Sequence, residues 1–122
     1  MVTPKKITDD ELSAVRGLSG AMDAFFALRG TMPAQYIKAF LLVAEEQGLG
    51  VGDYAKRAGV SVSVMSRHLL DIGERDRNME DGLGLVTYRS NPMELRKHEY
   101  YLTDKGRALV HRITRSLQKA GG

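Results

Sequence analysis

In the run Ser61-Val-Ser-Val-Met-Ser-Arg-His-Leu-Leu, small hydroxyl side chains alternate with apolar ones ahead of an arginine. The guanidinium is a planar fork of donors that matches guanine O6 and N7, and a serine hydroxyl can reach either a base edge or a phosphate. At 100° per residue, a helix that turns Met65, Leu69 and Ile72 inward presents Ser63, Arg67 and Leu70 outward, with Val64 and Ser66 on its flanks. So slim a face fits the major groove of duplex DNA, about 12 Å wide. The candidate DNA-reading residues here are Ser61, Ser63, Val64, Ser66 and Arg67. His68, on the flank of the same helix, is either a phosphate ligand or a partly buried neutral imidazole.

Arg89, Arg96, Lys97 and His98 gather around a turn that begins at Ser90-Asn91-Pro92. A basic hairpin beside a recognition helix can reach phosphates or the adjacent minor groove, whose narrow A/T-rich stretches attract arginine. Charges on an edge hairpin also serve solubility.

Other chemistry finds little to work with. His68, His98 and His111 lack metal-ligand spacing, and Asp9-Asp10, Glu45-Glu46 and Glu80-Asp81 are adjacent acids rather than converging ones. Neither a phosphate-binding glycine motif nor a serine nucleophile motif occurs. With no cysteine, thiolate catalysis, disulfides and cysteine-ligated zinc are excluded together. The expectation is a protein without enzymatic activity, metal or cofactor.

The elements that must position these residues follow from periodicity. Leu12, Val15, Leu18, Met22, Phe25 and Phe26 recur at helical spacing over 9–28, with Thr8 or Asp9 as N-cap, although Gly17 and Gly20 weaken that helix. A second helix is predicted over about 33–47, with Ile37, Phe40, Leu41 and Ala44 on one face. A third over about 52–58 meets a fourth over about 62–72 across Gly59-Val60, with Ser61 as cap and Tyr54, Val60, Met65 and Leu69 as the contacts between them. Residues 73–84 form a loop, 85–89 and 99–102 two short strands, and Thr103 caps a last helix carrying Leu109, Val110, Ile113 and Leu117.

The 122 residues, 43% hydrophobic and 27% charged, suit one globular domain. The net charge of +3 is unevenly spread: residues 1–50 hold 5 basic and 6 acidic side chains, residues 51–122 hold 13 and 9. A polyanion-facing half joined to a neutral scaffold fits that split, as does an ordinary basic surface. Neither a signal peptide nor a run of about 18 apolar residues is present, so the sequence reads as soluble and cytoplasmic, with no membrane partner.

From Thr31 to Leu109 the chain resembles the MarR family of bacterial winged-helix regulators. The likeness rests on Ser61, Ser63, Met65, Ser66 and Arg67 in the recognition helix, on Gly84-Leu85-Val86 entering the wing, and most of all on Leu102-Thr-Asp-Lys-Gly106 leaving it. It implies a mainly α (α+β) winged helix-turn-helix with a two-stranded wing and flanking dimerisation helices: one domain over 1–122, with an N-terminal helix over 8–29, a winged-helix core over 31–102 and a C-terminal helix over 103–119. It implies a transcriptional repressor that binds a pseudo-palindromic site on double-stranded DNA as a homodimer. Arg96 then corresponds to the minor-groove arginine of the wing and Glu94 to the acid that orients it, while Arg89 and Lys97 add electrostatic affinity. Dimerisation falls to Leu12, Val15, Leu18, Met22, Leu109, Ile113 and Leu117, whose stripes a small core would leave exposed, unless the two terminal helices simply pack on one another within a monomer.

The resemblance also implies a small aromatic effector, with Met22, Phe25, Tyr36 and Phe40 either as its lining or as plain core. The chain is shorter than is usual for the family after the wing, and its 73–83 loop is longer, holding Arg75 and Arg77 either against DNA or in solvent. The alternative reading is a winged helix serving DNA maintenance or protein interaction.

Overall fold

The computed structural model describes residues 3–74, 81–94 and 97–121. Among these the chain forms α1 (Asp9–Phe26), α2 (Ala34–Glu45), α3 (Val51–Ala58), α4 (Val62–Asp71), β1 (Val86–Ser90), β2 (His98–Leu102) and α5 (Asp104–Gly121). Contacts divide it into two compact units, one of residues 1–30 with 109–122, the other of residues 31–108. The last helix thus contributes to both.

In the first unit α1 starts on a capping box: the Thr8 hydroxyl accepts the Glu11 amide at 3.2 Å while the Glu11 carboxylate accepts the Thr8 amide at 2.9 Å. The helix runs unbroken through Gly17 and Gly20, because these glycines meet α5. A Cβ on Gly17 would lie 3.0 Å from the Leu117 side chain, and one on Gly20 would overlap the Ser116 hydroxyl. The propensity cost read from the sequence is the condition for a close helix crossing, which Ser116 fastens by donating to the Gly17 carbonyl at 3.2 Å.

The second unit is built on a buried cluster of Phe40, Val43, Tyr54, Met65, Leu69, Ile72, Leu85 and Val86. The helix α2 buries Ile37, Ala39, Phe40, Leu42 and Val43, whereas Leu41, expected inward, is exposed. Its apolar arc is wider than a single stripe and is centred on Phe40 and Val43. Between α3 and α4 the chain turns at Gly59, whose φ of 70° is left-handed, and the Gly59 and Val60 amides close the turn on Lys56 and Ala55. The Ser61 hydroxyl then accepts the Val64 amide at 3.2 Å and caps α4.

Strands β1 and β2 pair antiparallel, Val86 opposite Leu102 and Ser90 opposite His98. The outer edge of β2 is engaged as well, since Gly48 donates to Tyr100 at 2.7 Å and Tyr100 donates back to Leu49 at 3.0 Å. At the far end of the wing the sequence Leu-Thr-Asp-Lys-Gly has a physical account. The Thr103 hydroxyl donates to the Gly84 carbonyl at 2.6 Å and accepts the Gly106 amide at 3.0 Å, while a Cβ on Gly106 would fall on the Leu85 carbonyl.

The fully buried Tyr54 ring leads its hydroxyl to the Glu46 carbonyl, to which it donates at 2.8 Å, and to the Leu49 amide, from which it accepts at 3.3 Å. Burial pushes its phenol pKa above the ordinary 10.0. Tyr54→Phe, which strands both backbone groups, is expected to cost about 1–3 kcal/mol in urea unfolding. Because the folded-state pKa is raised, the phenol's stabilisation is complete below pH 10.0 and lost as pH rises through the folded value. The variant should therefore lose stability less steeply than the parent in that alkaline range.

Candidate nucleic-acid interface

The helix α4 presents the face that its periodicity dictates. Met65 and Leu69 are buried, Ser63, Arg67 and Leu70 are exposed, and Val64, Ser66 and His68 are half-buried. The Ser61 hydroxyl is committed to the N-cap and lies 3.3 Å from that of Ser63, so the free surface of this helix centres on Ser63 and Arg67. His68 packs edge-on against Tyr36 with ring centroids 5.7 Å apart, and the Tyr36 hydroxyl donates to the buried Asp71 carboxylate at 2.5 Å. The imidazole is thus anchored on its inner side.

Strand alternation sorts the wing residues onto two faces. On one, Tyr88 stacks on His98 with centroids 4.0 Å apart and planes 13° from parallel, and Tyr100 passes from Tyr88 at 5.8 Å to an edge contact with Tyr54 at 6.3 Å. This aromatic line joins the exposed hairpin to the buried cluster. On the other face, the Arg89 guanidinium sits 4.2 Å above the centre of the Tyr101 ring, and the Tyr101 hydroxyl donates to Glu99 at 2.9 Å. The Tyr101 hydrogen bond, followed by the field of Tyr101 and Glu99, raises the Arg89 pKa. Arg89 is consequently aimed along the flank of the wing and not at its end.

Beyond β1 the chain turns on a set of hydrogen bonds. The Asn91 amide donates to Lys97 at 2.8 Å, the Asn91 side-chain oxygen accepts the Met93 amide at 2.8 Å, the Glu94 amide reaches Asn91 at 3.2 Å and the Lys97 amide reaches Glu94 at 2.9 Å. Glu94 pairs with Lys97 at 2.9 Å between exposed side chains, and this hydrogen bond raises the lysine pKa. Arg96, the expected partner of Glu94, lies outside the described residues, as do Arg75 and Arg77.

The 48–53 segment and the wing face one another across a cleft of about 600 Å3 whose walls include Val51, Asp53, Lys97, His98 and Tyr100, with Ser66 contributed by α4. Residues of three parts of the second unit, Ser66 of α4, Lys97 of the hairpin turn and His98 of β2, line it together with the first turn of α3. Such a channel suits a phosphate backbone passing between two grooves, with Asp53 and Glu99 setting its acidic limits. Sequence reasoning placed His98 in the basic hairpin without a role, and missed the aromatic support of Tyr88, Tyr100 and Tyr101. Tyr88 and Tyr100 stand directly opposite in the strand register, and that pairing was the available signal.

The residues assigned to dimerisation divide by exposure. Val15, Leu18 and Leu117 are exposed at 54%, 61% and 50%, Leu12, Met22 and Ile113 are half-buried, and Leu109 is buried. Of the residues expected to line an effector site, Met22 and Phe25 belong to one unit, Tyr36 and Phe40 to the other. Among the described residues no group of histidines and acids is placed to hold a metal, and no helix is long and apolar enough to cross a membrane.

No protein-family model and no curated protein matches the sequence. Solved structures do match. A MarR family transcriptional regulator from Silicibacter pomeroyi is 22% identical with a TM-score of 0.56, the match covering 89% of this chain and 66% of that one. A transcriptional regulator from Thermotoga maritima is 18% identical with a TM-score of 0.65, covering 88% and 66%. FabT of Streptococcus pneumoniae, solved in complex with DNA, is 17% identical with a TM-score of 0.59, covering 92% and 74%. The chain therefore has the α+β winged-helix fold of MarR-type regulators, and it spans about two-thirds of the length of the first two.

The Asn91 side chain is what ties the wing turn internally. In Asn91→Ala the Met93 amide should exchange with solvent deuterium roughly fivefold faster than in the parent, an increase readable by NMR and tied to one lost hydrogen bond of about 1 kcal/mol.

Proposed function

We propose that this chain is a sequence-specific transcriptional regulator, in its simplest form a repressor, that binds a pseudo-palindromic site on double-stranded DNA as a homodimer. The observation that carries the reading is the exposed Ser63–Arg67 face of α4, together with a wing that bears Arg89, Lys97 and His98 and shares with Ser66 of that helix the lining of one cleft. With α4 in the major groove, Arg67 reads a guanine edge, Ser63 a base or phosphate, and Ser66, Lys97 and His98 follow the backbone. The DNA-bound state of a protein with the same fold supports the assignment by analogy.

Dimerisation is read from the first unit. Val15, Leu18 and Leu117 leave large apolar side chains in solvent on two helices that already pack together, and a second copy of the chain is the occupant a palindromic site requires. The two-fold axis sets two copies of α4 about one helical turn of DNA apart, roughly 34 Å.

Selection from randomised duplexes should return a pseudo-palindrome, bound much more tightly than scrambled DNA and with a steep salt dependence. Failure to enrich any sequence, with weak binding even at low salt, would sink the proposal. On the selected duplex Arg67→Ala should cost about 1–3 kcal/mol and broaden the preference at one position of each half-site. An equal loss on all sequences would reduce Arg67 to a phosphate contact. Leu18→Asp should convert a dimer into a monomer by sedimentation at micromolar concentration, with the far-ultraviolet helical signal retained.

A further inference from the structure

Among the described large apolar side chains, Met93 stands apart. It is 90% exposed, whereas Leu18, the next in order, is 61% exposed. Turn positions are normally filled by residues whose side chains or backbone preferences make the turn, and here Asn91 and Pro92 already do so. A thioether adds nothing to that chemistry. Nor is the side chain loosely presented, since the backbone on either side of it is held by the Asn91, Glu94 and Lys97 hydrogen bonds and the Met93 amide is tied to Asn91. The strands behind it are stiffened by the Tyr88–His98 stack on one face and by the Arg89–Tyr101 contact on the other.

Met93 is thus an apolar point on a braced lever, next in sequence to Glu94, whose carboxylate holds the Lys97 ammonium. If α4 occupies a major groove, the end of the wing reaches the neighbouring minor groove. Unbranched apolar side chains act there as wedges that part a base step and kink the duplex, and the cost is lowest at pyrimidine–purine steps. Lysine and arginine attract the backbone whatever its sequence, but a wedge is sensitive to how easily a step opens. Resting on the DNA-reading function above, we propose that Met93 makes the protein sensitive to the deformability of the base step at the outer flank of each half-site, where it makes no hydrogen bond to a base.

The test uses the selected duplex in paired versions that carry either a TA or an AA step, moved one position at a time through the outer flank. Affinity is measured at two salt concentrations, and bending by energy transfer between the duplex ends. The parent should favour TA at one flank position about fivefold, with a larger bend. Met93→Ala should abolish that preference and reduce the bend while leaving the salt slope unchanged, since no phosphate contact is lost. Met93→Leu should keep most of both effects. Equal binding of TA and AA duplexes by the parent at every position, or an undiminished preference in Met93→Ala, overturns the wedge while leaving DNA reading intact. A parent that binds no duplex at all overturns the regulatory function and the wedge together.

Discussion

The Tyr54 hydroxyl stands where three parts of the second unit meet. It donates to the last turn of α2 at the Glu46 carbonyl and accepts from the Leu49 amide, two residues ahead of α3, while its ring touches Tyr100 of β2 edge-on. A phenol can do this because it has an apolar body that is fully buried and one polar atom that finds both a donor and an acceptor. The consequence reaches outward: the turn after α2 fixes the start of α3, α3 fixes α4 through the Gly59 turn, and the Gly48–Leu49 segment fixes β2. Helix α4 and the wing therefore share one reference point, and their separation is not free to drift.

What could be read directly from residues was whatever depends on local periodicity. The outward set of Ser63, Arg67 and Leu70 needed only the 3.6-residue repeat, and the helix-turn-helix needed a left-handed residue at Gly59 followed by a cap at Ser61. Tertiary fit was not legible in the same way. Gly17 and Gly20 look like weaknesses until Ser116 and Leu117, about a hundred residues away, are set against them. Leu41 looks inward-facing until the buried arc of α2 is known to centre on Phe40 and Val43. The Gly48–Leu49 pairing with Tyr100 involves too few residues to leave an alternating pattern, so the third edge of the wing had no sequence signature.

The cations illustrate the difference between composition and placement. Arg89 and Lys97 look interchangeable as charges in a basic hairpin. In the structure Arg89 is settled on an aromatic ring on the flank, and Lys97 is coupled to Glu94 near the end of the hairpin. Both cations are solvent-exposed, although the Tyr101 ring beneath Arg89 is half-buried, so these charges are oriented but not sequestered.

The first unit joins segments that lie far apart along the chain, as the Ser116 to Gly17 hydrogen bond across 99 positions shows, whereas the second is one continuous stretch. During synthesis this imposes an order. The helix-turn-helix and wing can complete their contacts as soon as residue 108 has left the ribosome, while α1, made first, waits for the distal turns of α5 before its glycines find their partner. The continuous unit can thus be complete while the discontinuous one is still open, and until α5 is finished the buried Gly17, Ala21, Ala24 and Phe25 of α1 lack the helix that Gly17 and Gly20 are shaped to meet.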